Sequence, residues 1–249
     1  MKVYPLKVHY DFQGKEAAIY PAVIKQDAEV ILVDCGYAGF LSLINVAMQV
    51  HGLTLSELTG IIITHHDIDH VGGLFEIKKA RPHVKVYASE TEAPYISGAK
   101  KSLRLQQAEA IHDTLLDDQK QGALAFQERL KSILPVPVDK TFSIDGSLPF
   151  LEGVDVIATP GHMPGHISLY VKPSKTLIAA DAVVVQDGEL EIANPRFTMD
   201  MQQAIDSIKK LEQLEIKTLI CYHGGVVAHD VKSKLKKLVA KYDHNTIAQ

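Results

Sequence analysis

Short apolar runs rich in β-branched residues recur along the chain, and each ends in a turn of polar residues and glycine. Runs of this kind are typical of buried β-strands. The pattern predicts strands in two groups, near residues 17–24, 29–34, 60–64 and 84–88 and near residues 154–159, 166–171, 176–180 and 217–222.

Apolar residues at intervals of three and four predict helices around these strands. We expect helices at residues 38–50 and 73–80, with Gly52 as a stop signal just past the first. Asp200 is expected to cap a further helix, and a lysine-rich helix is expected near residues 230–242.

Residues 92–134 interrupt the series of strands. Pro94 and Pro135 bracket this charged segment. Within it, apolar residues recur at helical spacing, first at Leu105, Ala108, Ile111 and Leu115 and then at Phe126, Leu130 and Ile133. We predict two helices inserted between the strand groups. They either cover the core or form a lid that shapes a substrate pocket, and the sequence leaves both roles open.

An apolar strand, a histidine-bearing turn with glycine and a second apolar run follow one another at residues 61–75 and again at 154–171. This weak repeat predicts two similar β-rich halves, about residues 1–90 and 136–249, packed face to face. The halves would form one domain over residues 1–249, with the functional site in the cleft between them.

The composition is that of an ordinary globular protein, with 46% hydrophobic and 22% charged residues among 249. A net charge of −4 argues against a nucleic-acid groove, which needs a basic face. The first residues do not resemble a secretion signal and no apolar run is long enough to span a membrane, so a cytoplasmic location is expected. Cys35 and Cys221 provide no disulfide framework and are predicted to be buried, inert thiols.

Residues 64–70 read Thr-His-His-Asp-Ile-Asp-His, directly after an apolar run. Imidazole nitrogens and carboxylate oxygens are ligands that divalent cations select. In an extended or tightly turned segment, alternation would let His65, Asp67 and Asp69 converge while His70 closes from the side. His66 would then point away, and its replacement by alanine is expected to have almost no effect. The cluster offers enough donors for two ions.

Three further candidates follow other predicted strands: His162, Asp181 and His223. Strand ends gather along one edge of a sheet, where rigid backbone fixes the geometry of a site. The pattern therefore predicts a binuclear metal site built from four strand ends.

The chain resembles the metallo-β-lactamase-fold hydrolases, with the lactonase and glyoxalase II-like branches as the nearest pattern. The resemblance rests on motifs that span about residues 30–225: Val33-Asp34-Cys35-Gly36, His65-x-Asp67-x-Asp69-His70 followed by Gly72-Gly73, Thr159-Pro160-Gly161-His162-x-Pro164-Gly165-His166, Asp181, and His223-Gly224-Gly225. It implies an α+β fold, a four-layer αββα sandwich of two packed mixed β-sheets flanked by helices, with the helical insertion near residues 92–134.

The resemblance also implies two divalent ions and their ligands. One ion would be held by His65, Asp67 and His162 and the other by Asp69, His70 and His223, with Asp181 as the bridge between them. Such a pair would share a hydroxide that attacks the substrate. Asp69 would be catalytic, by hydrogen-bonding this hydroxide and carrying a proton to the leaving group.

Asp67 departs from the family, which most often has histidine at that place. An additional carboxylate makes the first position richer in oxygen and tolerant of harder ions such as Mn²⁺ or Fe²⁺, although Zn²⁺ is our first choice. His166 is expected to orient a ligand or to be structural, and Asp34 to tie a turn near the site.

The resemblance implies a hydrolase of a small ester, lactone or thioester, with a small-molecule partner, no nucleic acid and no membrane. Ile68 and Val184 stand where a quorum-quenching lactonase commonly has tyrosines, so that branch is not established. A diiron redox enzyme, a phosphodiesterase using Lys100, Lys101 and Arg104, and a non-catalytic binding module are the alternatives. A homodimer is left open.

Overall fold

The computed structural model of the protein describes residues 1–12 and 14–245. Its first sheet has the strand order β1-β4-β5-β6-β7-β8, with β5, β6, β7 and β8 parallel. Strands β2 and β3 pair separately as an antiparallel ribbon. The strands of this part are β1 (Lys2–Pro5), β2 (Val8–Phe12), β3 (Lys15–Ile19), β4 (Ala22–Gln26), β5 (Glu29–Val33), β6 (Gly60–Ile63), β7 (Lys85–Ser89) and β8 (Lys140–Phe142).

The second sheet has the order β16-β15-β12-β11-β10-β9, in which only the β12–β15 pair is parallel among the described strands. A short hairpin, β13–β14, lies outside it. The strands of this part are β9 (Gly146–Ser147), β10 (Val154–Ala158), β11 (Ile167–Val171), β12 (Thr176–Ala180), β13 (Val184–Gln186), β14 (Glu189–Glu191), β15 (Thr218–Cys221) and β16 (Gly225–Val227).

Eight α-helices accompany the two sheets in the described residues. They are α1 (Leu41–Gln49), α2 (Ile68–Val71), α3 (Leu74–Ala80), α4 (Ala93–Ile96), α5 (Leu103–Ala110), α6 (Asp117–Lys131), α7 (Met201–Glu212) and α8 (Val231–Asn245). None of the helices in the described residues is long and apolar enough to cross a membrane.

Three layers of buried side chains hold the elements together. In β6, Ile61 and Ile63 face α1 and α3, whereas Ile62 faces the second sheet, so a strand covered on both sides is apolar throughout. The outer face of the second sheet packs on α7 and α8 through residues such as Leu219 and Leu235. The predicted α+β sandwich of two packed mixed sheets between helical layers is confirmed.

The helical insertion is also present, between β7 and β8. Helices α5 and α6 meet through Leu105, Ala108 and Leu130, and these residues pack against Ile68 of the histidine-rich segment. The insertion therefore contacts the candidate site. Leu115 lies beyond the end of α5, because the helix gives way to a tighter turn after Ala110.

The prediction of one strand over residues 17–24 is wrong, because this segment forms two strands, β3 and β4, that are separated at Pro21. Proline has no N–H for a ladder, and the neighbouring Tyr20 instead donates its N–H to the carbonyl of Tyr222. Strands β1 and β2 were not predicted, because exposed polar residues such as Lys2, His9 and Asp11 interrupt the apolar runs by which strands were recognised.

Candidate metal centre

The candidate ligands lie just beyond the carboxyl ends of four strands. His65 comes after β6, His162 after β10, Asp181 directly after β12, and His223 after β15. Residue Gly161 has φ +131°, and a Cβ there would lie 2.3 Å from the backbone nitrogen of Ala204 in α7. Glycine therefore allows the turn that carries His162 to pack closely on α7.

The histidine-rich segment becomes helical at Ile68, and this corrects the argument from strand alternation for Asp69 and His70. Asp67 is the extended residue that precedes α2, with φ −71° and ψ 151°, while Asp69 and His70 lie inside that one-turn helix. The helical turn brings Asp69 and His70 towards the strand ends, whereas His66 turns away from the cluster as expected.

Three of the residues form a first group at Asp67. The Nε2 atom of His162 lies 2.9 Å from Oδ2 of Asp67, and Nε2 of His65 lies 3.9 Å from the same oxygen. One ligand atom from each of the three residues lies within 4.8 Å of the other two. We call His65, Asp67 and His162 position A.

A second group forms at Asp69. Its Oδ2 atom lies 3.0 Å from Nε2 of His223 and 3.8 Å from Nε2 of His70. The ligand atoms of Asp69, His70 and His223 again lie within 4.8 Å of one another. We call these three residues position B.

Asp181 lies between the two positions. Its Oδ1 atom is 3.3 Å from Nε2 of His70, and its Oδ2 atom is 3.6 Å from Nε2 of both His162 and His223. The structure thus brings together all seven residues that the sequence singled out.

Several buried polar atoms of the cluster lack hydrogen-bond partners. Within the described residues, Nε2 of His65, Nε2 of His70 and Oδ1 of Asp181 are buried and make no hydrogen bond. Such atoms are costly in a folded protein unless something satisfies them. Unprotonated imidazole nitrogens and carboxylate oxygens that converge in this way fit divalent cations.

Electrostatics in the cluster favour bound positive charge. Burial opposes protonation of His223, but the Asp181 and Asp69 carboxylates outweigh it and raise its pKa to about 10. Burial also opposes protonation of His70, but the carboxylates of Asp181 and Asp34 outweigh it and raise the pKa of His70 well above its usual value. The carboxylates that favour protonated imidazoles here would also favour a bound cation.

His65 differs from these two histidines. Its burial, together with the neighbouring His70, lowers its pKa well below the usual value. It therefore stays neutral, with Nδ1 3.0 Å from the hydroxyl of Thr64 and Nε2 facing the cluster.

Asp34 fixes the orientation of His70. Its Oδ2 atom accepts a hydrogen bond from Nδ1 of His70 (2.8 Å) and one from the hydroxyl of Thr64 (2.8 Å), while Oδ1 accepts the N–H of Thr64 (2.8 Å). A carboxylate on Nδ1 sets the tautomer that leaves Nε2 free for a metal. The expectation that Asp34 ties a turn near the site is confirmed.

His166 has both ring nitrogens engaged. Nε2 accepts the N–H of Asp181 (3.1 Å), and Nδ1 lies 2.8 Å from the hydroxyl of Thr159. Burial and the neighbouring His162 lower its pKa to about 3, so the ring is neutral. This arrangement holds Asp181 in place and leaves no nitrogen for an ion, as the sequence suggested.

His66 has a structural role that the sequence did not reveal. Its Nδ1 atom pairs with Oε2 of the fully buried Glu92, and its Nε2 atom accepts the N–H of Leu103 at the start of α5. Oε1 of Glu92 accepts the N–H of Gly165, so one buried pair joins three segments around the site.

We therefore expect His66→Ala to destabilise the fold by about 3 kcal/mol, because it leaves Glu92 buried with a lost partner and opens a cavity. This replaces the expectation that the change has almost no effect. Thermal unfolding measures the loss, and the number of bound ions should stay the same. His9→Ala, which removes an exposed histidine–glutamate pair, is the control. Equal stability of the two variants would contradict the assignment.

The sequence suggested Arg104 only as a cation for a phosphodiester substrate and did not reveal its contact with Asp67. It is 3% exposed and donates from Nε to Oδ1 of Asp67 (3.1 Å) and from Nη2 to Oδ2 (2.6 Å). Burial favours the neutral form of Asp67, but the hydrogen bond with His162 and the charge of Arg104 hold its pKa well below the usual range. The available signal was spacing, since Arg104 and Ala108 share the buried face of α5.

A cleft of about 720 Å³ opens onto the cluster. Its walls are mostly apolar, and α6 of the insertion supplies Ala125 and Phe126. Ile68 and Val184, the residues at the tyrosine places of lactonases, also line it. The insertion therefore forms one wall of the space in which a substrate would meet Asp69 and Asp181.

Residues 18–223 match the model of the metallo-beta-lactamase superfamily. The probable metallo-hydrolase YflN of Bacillus subtilis is 34% identical over 214 residues, which cover 78% of this chain and 75% of that protein. A hydroxyacylglutathione hydrolase of Edwardsiella ictaluri is 28% identical over 206 residues, covering 80% of this chain and 58% of the relative.

A solved structure gives the same result for the fold. A metallo-beta-lactamase family protein of Thermus thermophilus superposes with a TM-score of 0.71 at 21% identity, covering 99% of this chain and 81% of that one. The match of sequence, fold and strand-end cluster leads to one conclusion. The chain belongs to the metallo-beta-lactamase superfamily.

Proposed function

We propose that this protein is a binuclear metal-dependent hydrolase that cleaves a small ester, lactone or thioester. The observation that carries the proposal is the pair of ligand groups flanking Asp181, with unpartnered buried atoms, at the floor of an apolar cleft. His65, Asp67 and His162 would hold one ion, and Asp69, His70 and His223 the other, with Asp181 between them. Zn²⁺ is our first choice, with Mn²⁺ and Fe²⁺ as alternatives.

Two divalent ions held there would activate water and stabilise the negative charge that develops on a carbonyl oxygen. The chain itself would supply the remaining parts of the reaction. Asp69 lies on the cleft floor, where its carboxylate would accept a proton from the attacking water and pass it to the leaving oxygen or sulfur.

The cleft walls support an acyl substrate with an apolar part. Phe126, Phe197 and Val184 would exclude water around the acyl group and place its carbonyl near the cluster. Hydrolysis of a thioester is also the activity in the name of the hydroxyacylglutathione hydrolases that this chain resembles.

A phosphodiester substrate finds less support. Of the three cations suggested for a basic cleft, Arg104 is buried in an ion pair with Asp67, and Lys101 pairs with Glu109. Lys100 lies over the ring of Tyr95 instead of on the floor of the cleft.

The proposal is tested with purified protein assayed against short-chain esters, thioesters, lactones and phosphodiesters. We expect turnover of at least one acyl substrate, its loss after metal removal by a chelator, and its recovery when Zn²⁺ or Mn²⁺ is added back. Full activity of chelator-treated protein, or no acyl turnover by protein shown to hold two ions, would contradict the proposal.

A further inference from the structure

Positions A and B offer the same types of ligand. Each has two imidazoles and one carboxylate, and Asp181 lies within 3.6 Å of a histidine from each position. From donor atoms alone the two positions should bind a divalent cation about equally well. Their surroundings, however, differ in charge.

At position A the carboxylate already has a buried cation. Arg104 binds Asp67 through two parallel hydrogen bonds, the strongest geometry for this kind of pair, and both residues are buried. The Asp67–Arg104 unit has no net charge. The carboxylate of position A therefore attracts an ion less strongly than an unpaired carboxylate would.

Arg104 is held in this place by other contacts. Its Nη1 atom donates to Oε1 of Gln107 (2.7 Å), and Nη2 also donates to the carbonyl of Phe197 (2.6 Å). The guanidinium carbon lies 5.4 Å from the centre of the Phe197 ring. A side chain with so many fixed contacts is not free to swing towards a substrate.

The surroundings of position B act in the opposite direction. Asp69 forms no ion pair with a lysine or arginine in the described part of the chain; its partners there are His70 and His223. His70 carries a second carboxylate, Asp34, on its other nitrogen, which strengthens it as a ligand. The corresponding nitrogen of His65 meets only the neutral hydroxyl of Thr64.

We propose that Arg104, supplied by the helical insertion, makes position A the weaker of two unequal metal positions, so that position B fills first and position A second. The inference rests on the metal centre of the proposed function. It makes Arg104 a positioning residue that acts through Asp67, and it gives the insertion a part in controlling metal occupancy.

The test is a titration of chelator-treated protein with Zn²⁺ in competition with a chromophoric chelator. For the unaltered protein we expect two dissociation constants, with the weaker at least about 10-fold above the tighter. Arg104→Met should lower the weaker constant by about 10-fold or more and leave the tighter one unchanged, because Asp67 regains its full charge. Asp67→Asn should weaken only the second ion.

Lys101→Met is the matched control. It removes one positive charge three residues away, from an exposed side chain that is paired with Glu109, and it should change neither constant. A weaker constant that is unchanged or higher in Arg104→Met, or an equal response in Lys101→Met, would overturn the proposal. Two equal constants in the unaltered protein would also overturn it.

Arg104→Gln provides a second variant if Arg104→Met does not fold, because glutamine removes the charge and keeps a hydrogen-bond donor. It should give the same direction of change. If the unaltered protein binds one ion, Arg104→Gln should bind two, and a variant that still binds one contradicts the proposal. The readout is ion binding, so a protein that binds two unequal ions but cleaves no acyl substrate would contradict the proposed function alone.

Discussion

Replacing Asp181 by alanine is expected to abolish measurable turnover and to reduce the number of bound ions. Asp181 is the one residue within 3.6 Å of a histidine from both metal positions in the described cluster. In the proposed centre its loss would remove a ligand from each ion and would leave His70 and His223 without one of the carboxylates that favour positive charge there. The fall in kcat/KM should exceed the roughly 10- to 100-fold that follows loss of a residue that only orients a ligand.

Elemental analysis and steady-state kinetics on the same preparation measure both effects. Asp206→Ala is the control, since this aspartate lies on the exposed face of α7, away from the cluster. It should keep the metal content and kcat/KM of the unaltered protein. An Asp181→Ala protein with full activity and two bound ions would refute the bridging role.

Replacing Asp34 by asparagine is expected to lower both stability and ion affinity. Asparagine has nearly the same shape and tolerates the left-handed conformation of this residue, φ +61°, so the backbone is preserved. Its amide group, however, cannot accept all the hydrogen bonds that Thr64 and His70 donate. We expect a loss of about 3 kcal/mol in the free energy of unfolding, and ion binding at position B weaker by roughly 10- to 100-fold.

Denaturant unfolding of the metal-free protein separates the first effect from the second, which is measured by ion titration. Asp155→Asn is the control, because Asp155 pairs with Lys172 on the far side of the second sheet, in β10. It should change the free energy of unfolding by about 0.5 kcal/mol or less. Ion binding that is as tight in Asp34→Asn as in the unaltered protein would contradict the role given to the Asp34–His70 hydrogen bond.

The sequence predicted the parts of the site that follow from local pattern. A histidine or aspartate directly after a buried strand must lie at the edge of a sheet, and this logic placed His65, His162, Asp181 and His223 correctly. Because strands and helices differ in their hydrophobic period, the sequence also predicted most of the elements that surround the site, whereas the order of the layers was implied by the resemblance to the metallo-β-lactamase fold. Pro21 indicated a break in the predicted strand over residues 17–24, but the apolar residues on both sides of it favoured one continuous strand.

Contacts between distant segments could not be predicted in the same way. Arg104 lies 37 residues from Asp67, and Glu92 lies 26 residues from His66. Nothing in either segment alone indicates its partner. Both Arg104 and Glu92 come from the helical insertion, which packs against Ile68 of the histidine-rich segment. The argument from ligand types at Asp67 therefore missed the guanidinium of Arg104 that compensates its charge.

The helical insertion takes part in the site in three ways. It covers the histidine-rich segment through Leu105 and Leu130, forms a wall of the cleft, and supplies Arg104 to position A. Substrate choice and metal binding would then depend on the same pair of helices. Comparing the effects of Phe126 and Arg104 substitutions separates the two roles, since Phe126 lines the cleft and Arg104 contacts Asp67.

The most direct test of the central claim is anomalous diffraction from crystals of the protein saturated with Zn²⁺, recorded at the zinc absorption edge. We expect two peaks, one bounded by His65, Asp67 and His162 and one by Asp69, His70 and His223, with Asp181 in contact with both. A single peak, or peaks that lie outside these residues, would contradict it.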